Sequence, residues 1–221
     1  MRKDVVTSLI AVVAFTLLLG LAYPLAVTGV SQALLNDQAD GSRIVRDGKL
    51  VGSKLIAQDF RRPVRGPDGK PKHDADGAPL LEADPRWFQP RPSVTGYSAS
   101  ATAFGNLGPN NVATRDATAA NAQAYLALER PYDRGLTVAR IPVDAVTNSA
   151  SGVDPQISVA NARIQARRIA AVRRLPLARV LQLVDDHTSG RALGILGEPG
   201  VNVLELNLAL DRASAPTGAS R

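Results

Sequence analysis

Two histidines, His73 and His187, and no cysteine are available to this chain for acid–base or metal chemistry. A zinc site needs several nitrogen, sulfur or carboxylate ligands at close spacing, and two distant imidazoles without a thiolate do not supply it. Asp185-Asp186-His187 sets carboxylates beside an imidazole, from which a hydrolytic triad would follow if a serine such as Ser149 came close. No nucleophile-elbow pattern accompanies it, so the cluster reads as a polar helix end and the triad is rejected. Gly194, Gly197 and Gly200 recur every third residue. They lack the strand, the Lys-Ser/Thr pair and the distal acid of a phosphate-binding loop, and they read as turn residues; there is no Walker motif. The chemistry that remains is recognition. Val146 to Ser158 is a run of Ser, Asn, Gly and Asp, too polar for a core and without the Lys or His that acid–base work at neutral pH requires. Its Asp154-Pro155 turn and Ser158 cap predict a shaped docking loop. Arg163, Arg167 and Arg174 fall on one stripe of a predicted helix, either a solvated basic face near a helix C-terminus or a site for an anion or partner.

The elements that must carry these residues begin in a membrane. No charged side chain occurs between Asp4 and Asp37, and Val5 to Val30 is almost wholly apolar. A helix of about 20 apolar residues crosses the ~30 Å hydrocarbon core, so residues 1–34 are predicted to form a transmembrane anchor with a short cytoplasmic N-terminus. A cleavable signal sequence is the competing reading, with Ala26-Val27-Thr28 as its cleavage site; its apolar stretch is usually only ~7–15 residues, and here the run continues past Val30. Arg2 and Lys3 precede the span and Asp37 and Asp40 follow it, which by the positive-inside rule places the remainder outside the cytoplasm. Pro24 removes a backbone N–H and frees a carbonyl near Gly20, a modest pointer to partner helices.

Beyond the anchor, residues 35–211 are long enough for one compact mixed α/β domain with a real core. Net charge is +6 but aromatic content only 4%, which leaves few stacking platforms and argues against nucleic acid. Ser42 to Gly52 around Asp47-Gly48 predicts a hairpin. Residues 61–85, rich in Pro, Gly, Asp, Lys and Arg, predict an exposed loop insertion outside the core, with order resuming at Trp87-Phe88. From Arg91-Pro92-Ser93 to Asn111 the chain reads as exposed loop. Thr114 to Leu128 predicts a helix with Asp116 in its first turn, and Leu136 to Ile141 a short strand. A helix over Val159–Arg174 and another after Pro176 predict a helical hairpin. Leu204, Leu206, Leu208 and Leu210 alternate with Glu205, Asn207 and Ala209, which favours a strand while leaving a helix open. Residues 212–221 read as a disordered tail.

Several long, irregular motifs resemble the KdpC subunit family of the bacterial Kdp potassium-transporting P-type ATPase. They are Gly52-Ser53-Lys54-Leu55-Ile56-Ala57-Gln58-Asp59-Phe60, Arg91-Pro92-Ser93, Asn106-Leu107-Gly108-Pro109-Asn110-Asn111, the stretch Ile141 to Ser158, and Gly197 to Asp211. The single N-terminal span fits as well. The insertion departs from the family pattern, as does Thr102-Ala103-Phe104-Gly105, which stands where small Ser/Gly residues are expected. The resemblance implies a non-catalytic accessory subunit in the bacterial inner membrane, in a complex that imports potassium. Its partners would be a potassium-channel-like subunit, a P-type ATPase subunit and the lipid bilayer, with no nucleic acid. It implies no cofactor of its own, with ATP reaching it only through the complex. The family is described as a catalytic chaperone for ATP use by the pump subunit, with nucleotide at the loop. That marks Thr147, Asn148, Ser149, Ser151, Gly152, Asp154 and Gln156 as a partner- or nucleotide-linked set. An extracytoplasmic domain fits assembly, or guarding of the potassium entrance, better than nucleotide contact. A membrane-anchored envelope hydrolase, or an interaction protein unrelated to transport, stands as the alternative.

Overall fold

A computed structural model describes residues 2–214 and divides into two compact units, the first ending at Ser53 and the second beginning at Lys54. The first is a continuous helix, Arg2–Leu34, long and apolar enough to cross a membrane, none of whose apolar window is buried by protein. It comprises α1 (Arg2–Leu17), a π-helical turn (Leu18–Ala22) and α2 (Tyr23–Leu34). In the wide turn the Tyr23 N–H donates to Leu18 O, and Pro24 follows at once. A regular turn there would set the proline ring against the Gly20 carbonyl; the widened turn is how this helix takes in the proline. After one further turn, α3 (Asn36–Ala39), β1 (Arg43–Arg46) pairs antiparallel with β2 (Lys49–Ser53). Asp47 and Gly48 sit at φ 51° and 73°, the primed turn expected of Asp-Gly. The hairpin falls in the first unit together with the anchor.

The second unit is mixed helix and sheet. Its main core lies between a three-stranded antiparallel sheet and three helices. The sheet has β7 (Gly200–Asn202) between β5 (Gln156–Ser158) and β6 (Thr188–Ser189). The helices are α5 (Val159–Arg173), α6 (Leu177–Asp186) and α7 (Val203–Ser214). The Ser158 hydroxyl caps α5 by accepting from the Asn161 N–H. At its end Arg174 turns left-handed at φ 56° and Leu175 N–H reaches back to Ala170 O, which lets Pro176 open α6 and makes the helical hairpin. Ile157, Ala166, Ile169, Val180, Val201 and Leu206 interlock there with Phe88, whose ring is fully buried. A smaller cluster of Tyr125, Leu126 and Leu136 holds α4 (Val112–Glu129), which starts at an Asn111 cap two residues before the predicted limit. Asp116 therefore stands beyond its first turn.

Several expectations give way. Leu204 to Leu210 is helix α7, not strand: Val203, Leu204, Leu206, Asn207, Ala209 and Leu210 are all buried, so the helix buries a wide arc and its leucines need no single narrow stripe. Leu136 to Ile141 is not a strand; Leu136 alone is fully buried, and Val138–Arg140 forms a 3-10 turn with Val138 exposed. Residues 61–85 are not an open loop. β3 (Arg61–Pro63) pairs with β4 (Leu81–Ala83), and bridges Arg65–Pro71 and His73–Pro79 continue the ribbon outward. Gly200 lies in a strand, although Gly194 and Gly197, both at positive φ, are turn residues. Of the predicted tail, 212–214 end α7 and 215–221 lie outside the described residues.

Candidate functional site

The polar loop from Val146 to Ser158 is built against the segment that follows Arg91. The Arg91 guanidinium donates to Asp154 Oδ2 at 3.2 Å, to Asn148 O at 3.1 Å and to Thr147 Oγ1 at 3.4 Å. Asp154 Oδ1 accepts the Gln156 N–H, closing the turn around Pro155. Ser93 Oγ donates to Gly152 O at 2.6 Å and accepts the N–H groups of Thr95 and Tyr97. Gly152 has φ 74°, and a Cβ there would stand 2.7 Å from Thr95 Oγ1, so glycine is required by both conformation and space. Ser149 is buried, with its N–H on Pro92 O; Ser151 Oγ accepts the Val153 N–H. The loop therefore spends most of its polar groups on its own shape, leaving Ala150 and Gln156 exposed.

Upstream, Asp144 fixes the start of α5. Its carboxylate accepts from Ser158 N, Ser158 Oγ and Asn161 Nδ2 at 2.8, 2.7 and 3.0 Å. Of the three arginines on the predicted stripe, Arg163 pairs with Asp185 at 3.1 Å, Arg167 lies 3.7 Å from Asp133, and Arg174 is the exposed left-handed cap. His187 Nδ1 meets Leu183 O at 2.8 Å, one turn back on its own helix. Among the described residues no group of three His, Cys, Asp or Glu is placed to hold a metal.

The larger polar assembly lies inside. Asn161, Gln165 and Arg168 share a face of α5 at intervals of four and three and are all buried. Gln165 Oε1 accepts the Gln89 N–H at 2.7 Å while its Nε2 donates to Gln89 O; Asn207 does the same for Phe88 at 2.9 and 3.0 Å. Arg168 donates to Glu129 Oε1 at 2.9 Å, to Gln165 Oε1 at 3.0 Å, to Trp87 O at 3.0 Å and to Pro85 O. The irregular backbone of residues 85–89, in which Phe88 is fully buried and Arg86 is exposed, thus finds its partners in side chains of α5 and α7 instead of in a sheet. The Tyr125 hydroxyl donates to Asn161 Oδ1. Burial pushes Glu129 upward against the opposing charge and hydrogen bond of Arg168. Burial likewise raises Tyr125, and raises Tyr97 to about 12 even with the Arg61 guanidinium 5.4 Å over its ring. A cavity of about 420 Å³ opens beside this network between α4, α5, the base of the β3–β4 ribbon and Tyr97.

Sequence reasoning passed over Arg168, Glu129, Gln165, Asn161 and Asp144. The signal was present: Glu129 ends the run Ala122, Tyr125, Leu126, Glu129 on the buried face of α4, and Arg168 stands beside the buried Ile169. A charge on an apolar face asks for a partner, and each is the other's.

A single helix able to span a membrane, followed by a compact α/β domain with a buried polar network, defines a single-span membrane-tethered subunit or domain. The comparisons specify which. The sequence model of "KdpC: K+-transporting ATPase, c chain" matches residues 5–212. Proteins named potassium-transporting ATPase KdpC subunit are similar along nearly the whole chain. The one from Mycobacterium tuberculosis H37Rv is 42% identical over 214 residues, covering 96% of this chain and 100% of its own length. The one from Polaromonas naphthalenivorans is 47% identical, covering 96% and 95%. That of Rhodospirillum rubrum is 44% identical, covering 96% of each. The chain belongs to the KdpC family, and is a subunit of a potassium-transporting ATPase.

Proposed function

We propose that this subunit is an accessory, non-catalytic one, anchored in the bacterial inner membrane with its domain outside the cytoplasm. There it holds a potassium-channel-like chain and a P-type pump chain together and, through the assembled complex, promotes ATP use by the pump. The observation that carries this reading is an apolar tip between β6 and β7. Leu193, Ile195 and Leu196 are 89%, 75% and 57% exposed. They are presented on a tight loop closed by an Ala192–Leu196 bridge and an Arg191–Glu198 ion pair at 2.8 Å. Leu193 holds φ 53°, a costly conformation for a bulky side chain. A contiguous exposed apolar group of this kind marks a surface covered in an assembly. The polar loop favours docking over nucleotide contact, since its one guanidinium, Arg91, already serves Asp154 and the loop backbone.

Gentle detergent extraction through a C-terminal tag tests the reading. Two larger chains of the transporter should co-purify with the unaltered protein. Leu193→Asp with Ile195→Asp should lose them while the thermal unfolding of the isolated subunit stays unchanged. Full recovery of both partners by that variant would reject the tip as a contact. Because the chain lacks cysteine, Ala150→Cys reports topology directly. A membrane-impermeant maleimide should label it in intact spheroplasts, and labelling only after lysis would reverse the orientation.

A further inference from the structure

The β1–β2 hairpin has two unlike faces. Val45 pairs with Leu50, and Arg46 pairs with Lys49. Successive residues of a strand point to opposite sides, so one face of the ribbon presents the apolar pair and the other the basic pair. Val45 and Leu50 are 61% and 63% exposed. The hairpin also has a definite place beside the anchor. Gly41 and Ser42 are both left-handed, at φ 84° and 47°, and reverse the chain. Ser53 Oγ donates to Gly41 O at 2.7 Å and fastens the open end of the hairpin there. From that end the strands run back along α3, because Val45, Gly48 and Leu50 share a cleft with Asn36, Asp37 and Asp40. Gln32, in the last turn of α2, donates to Asp40 Oδ1 at 3.0 Å and holds α3 against the end of the helix. The hairpin tip therefore stands across the cleft from Asn36, two residues beyond the end of α2 at Leu34.

Asn36 follows Val30, the end of the apolar run, by six residues, which is about 9 Å of helix rise. The headgroup layer on each side of the hydrocarbon is itself about 5–7 Å deep, so an apolar pair brought back to this level meets the bilayer interface. Charge does not draw it there. Residues 36–53 carry Arg43, Arg46 and Lys49 against Asp37, Asp40 and Asp47, which sum to zero. We propose that the β1–β2 hairpin is a second membrane attachment beside the spanning helix. Its Val45–Leu50 face rests in the interfacial layer of a zwitterionic phospholipid bilayer, while Arg46 and Lys49 stay on the water side. The attachment is separate from the apolar tip and does not depend on the accessory role.

The test is spin labelling of the full-length subunit, without its partners, in phosphatidylcholine vesicles. The chain has no cysteine, so Val45→Cys, Arg46→Cys, Lys49→Cys and Leu50→Cys each take a single nitroxide. All four side chains are exposed, and a label at any of them displaces no packed neighbour. Power saturation then compares collisions of the label with oxygen, which concentrates in the bilayer, and with a water-soluble nickel chelate. The ratio of oxygen to nickel collisions at positions 45 and 50 should exceed that at 46 and 49 by roughly threefold or more, as immersion of one face implies. The four variants share the same mixture of orientations across the vesicle wall, so the comparison is unaffected by it. Ratios that fail to alternate along the strands, or that are higher at 46 and 49, would overturn the proposal. Free access of the nickel reagent to all four positions would leave the apolar face to water or to a protein partner.

Discussion

Arg168 and Glu129 are 0% and 1% exposed, an ion pair with no access to solvent. Such a pair contributes little net stability compared with apolar residues of the same size, but removing one member leaves a bare charge in a medium that cannot solvate it. Arg168→Met should therefore lower unfolding free energy by about 3–5 kcal/mol. It would also strip the donor from Pro85 O and Trp87 O. The sole tryptophan, Trp87, lies in the affected segment, and its fluorescence in a denaturant titration reads the change. Adding Glu129→Met should return part of the loss; no recovery would mean that the carbonyls, not the charge, dominate. Asp84 responds to pH in the opposite sense to Glu129. Burial pushes Asp84 up, but hydrogen bonds from the Arg86 side chain and N–H, with the charges of Arg86 and Arg62, outweigh it and hold the carboxyl below its ordinary value. Its contribution is present above the ordinary carboxylate range and is lost as pH falls through the lowered value. Glu129, raised by burial, favours the fold in its protonated form, so its contribution is lost as pH rises through the raised value. Thermal unfolding followed against pH should show a shallower acid limb in Asp84→Asn, and in Glu129→Gln a smaller decline as pH increases from the carboxylate range.

Among the elements, the β3–β4 ribbon has a dispensable end and an indispensable base. Residues 65–80 have exposed side chains, apart from a half-buried Gly66, whereas Asp84 is buried and Pro85 O receives Arg168. Replacing residues 64–80 with a short Gly/Ser linker should leave the melting temperature and the recovery of partners unchanged, while extending the deletion to 61–85 should unfold the domain. Loss of the partners with the shorter deletion would place a contact on the ribbon. At the start of α5, Ser158→Ala should cost ~1 kcal/mol as a lost cap. Asp144→Ala should cost more, because three donors lose their acceptor. Elements with a local cause were legible in the sequence. The anchor, the Asp-Gly hairpin, the Ser158 cap and the Pro176 helix start each rest on residues within one turn of the feature. α7 and the 3-10 turn at Val138 were not legible, because burial over a wide arc in the first and a single buried leucine in the second override the pattern on which periodicity depends. The polar core was hidden for a related reason. Asn161, Gln165 and Arg168 mark it only when α5 is known to face residues 85–89, a placement set by packing.

At the scale of the molecule, Phe88 is the point on which the domain closes. It is fully buried, and its peptide group is bracketed by the Asn207 side chain, 119 residues away in sequence. Contacts of such separation form late, after most of the loop-closure entropy has been spent. A chain ending at Asn202 would keep α4, α5 and α6 but would leave Phe88 without its lid and without a partner for its N–H and C=O. It should be digested throughout by a protease, where a domain that merely lost a terminal helix would be trimmed to a resistant remnant. The same dependence governs the birth of the protein. The N-terminal helix precedes the domain and is ready for the bilayer, yet the domain behind it has to wait for nearly its last described residues before its main core can set. During that interval the tether, rather than the fold, determines where the chain is.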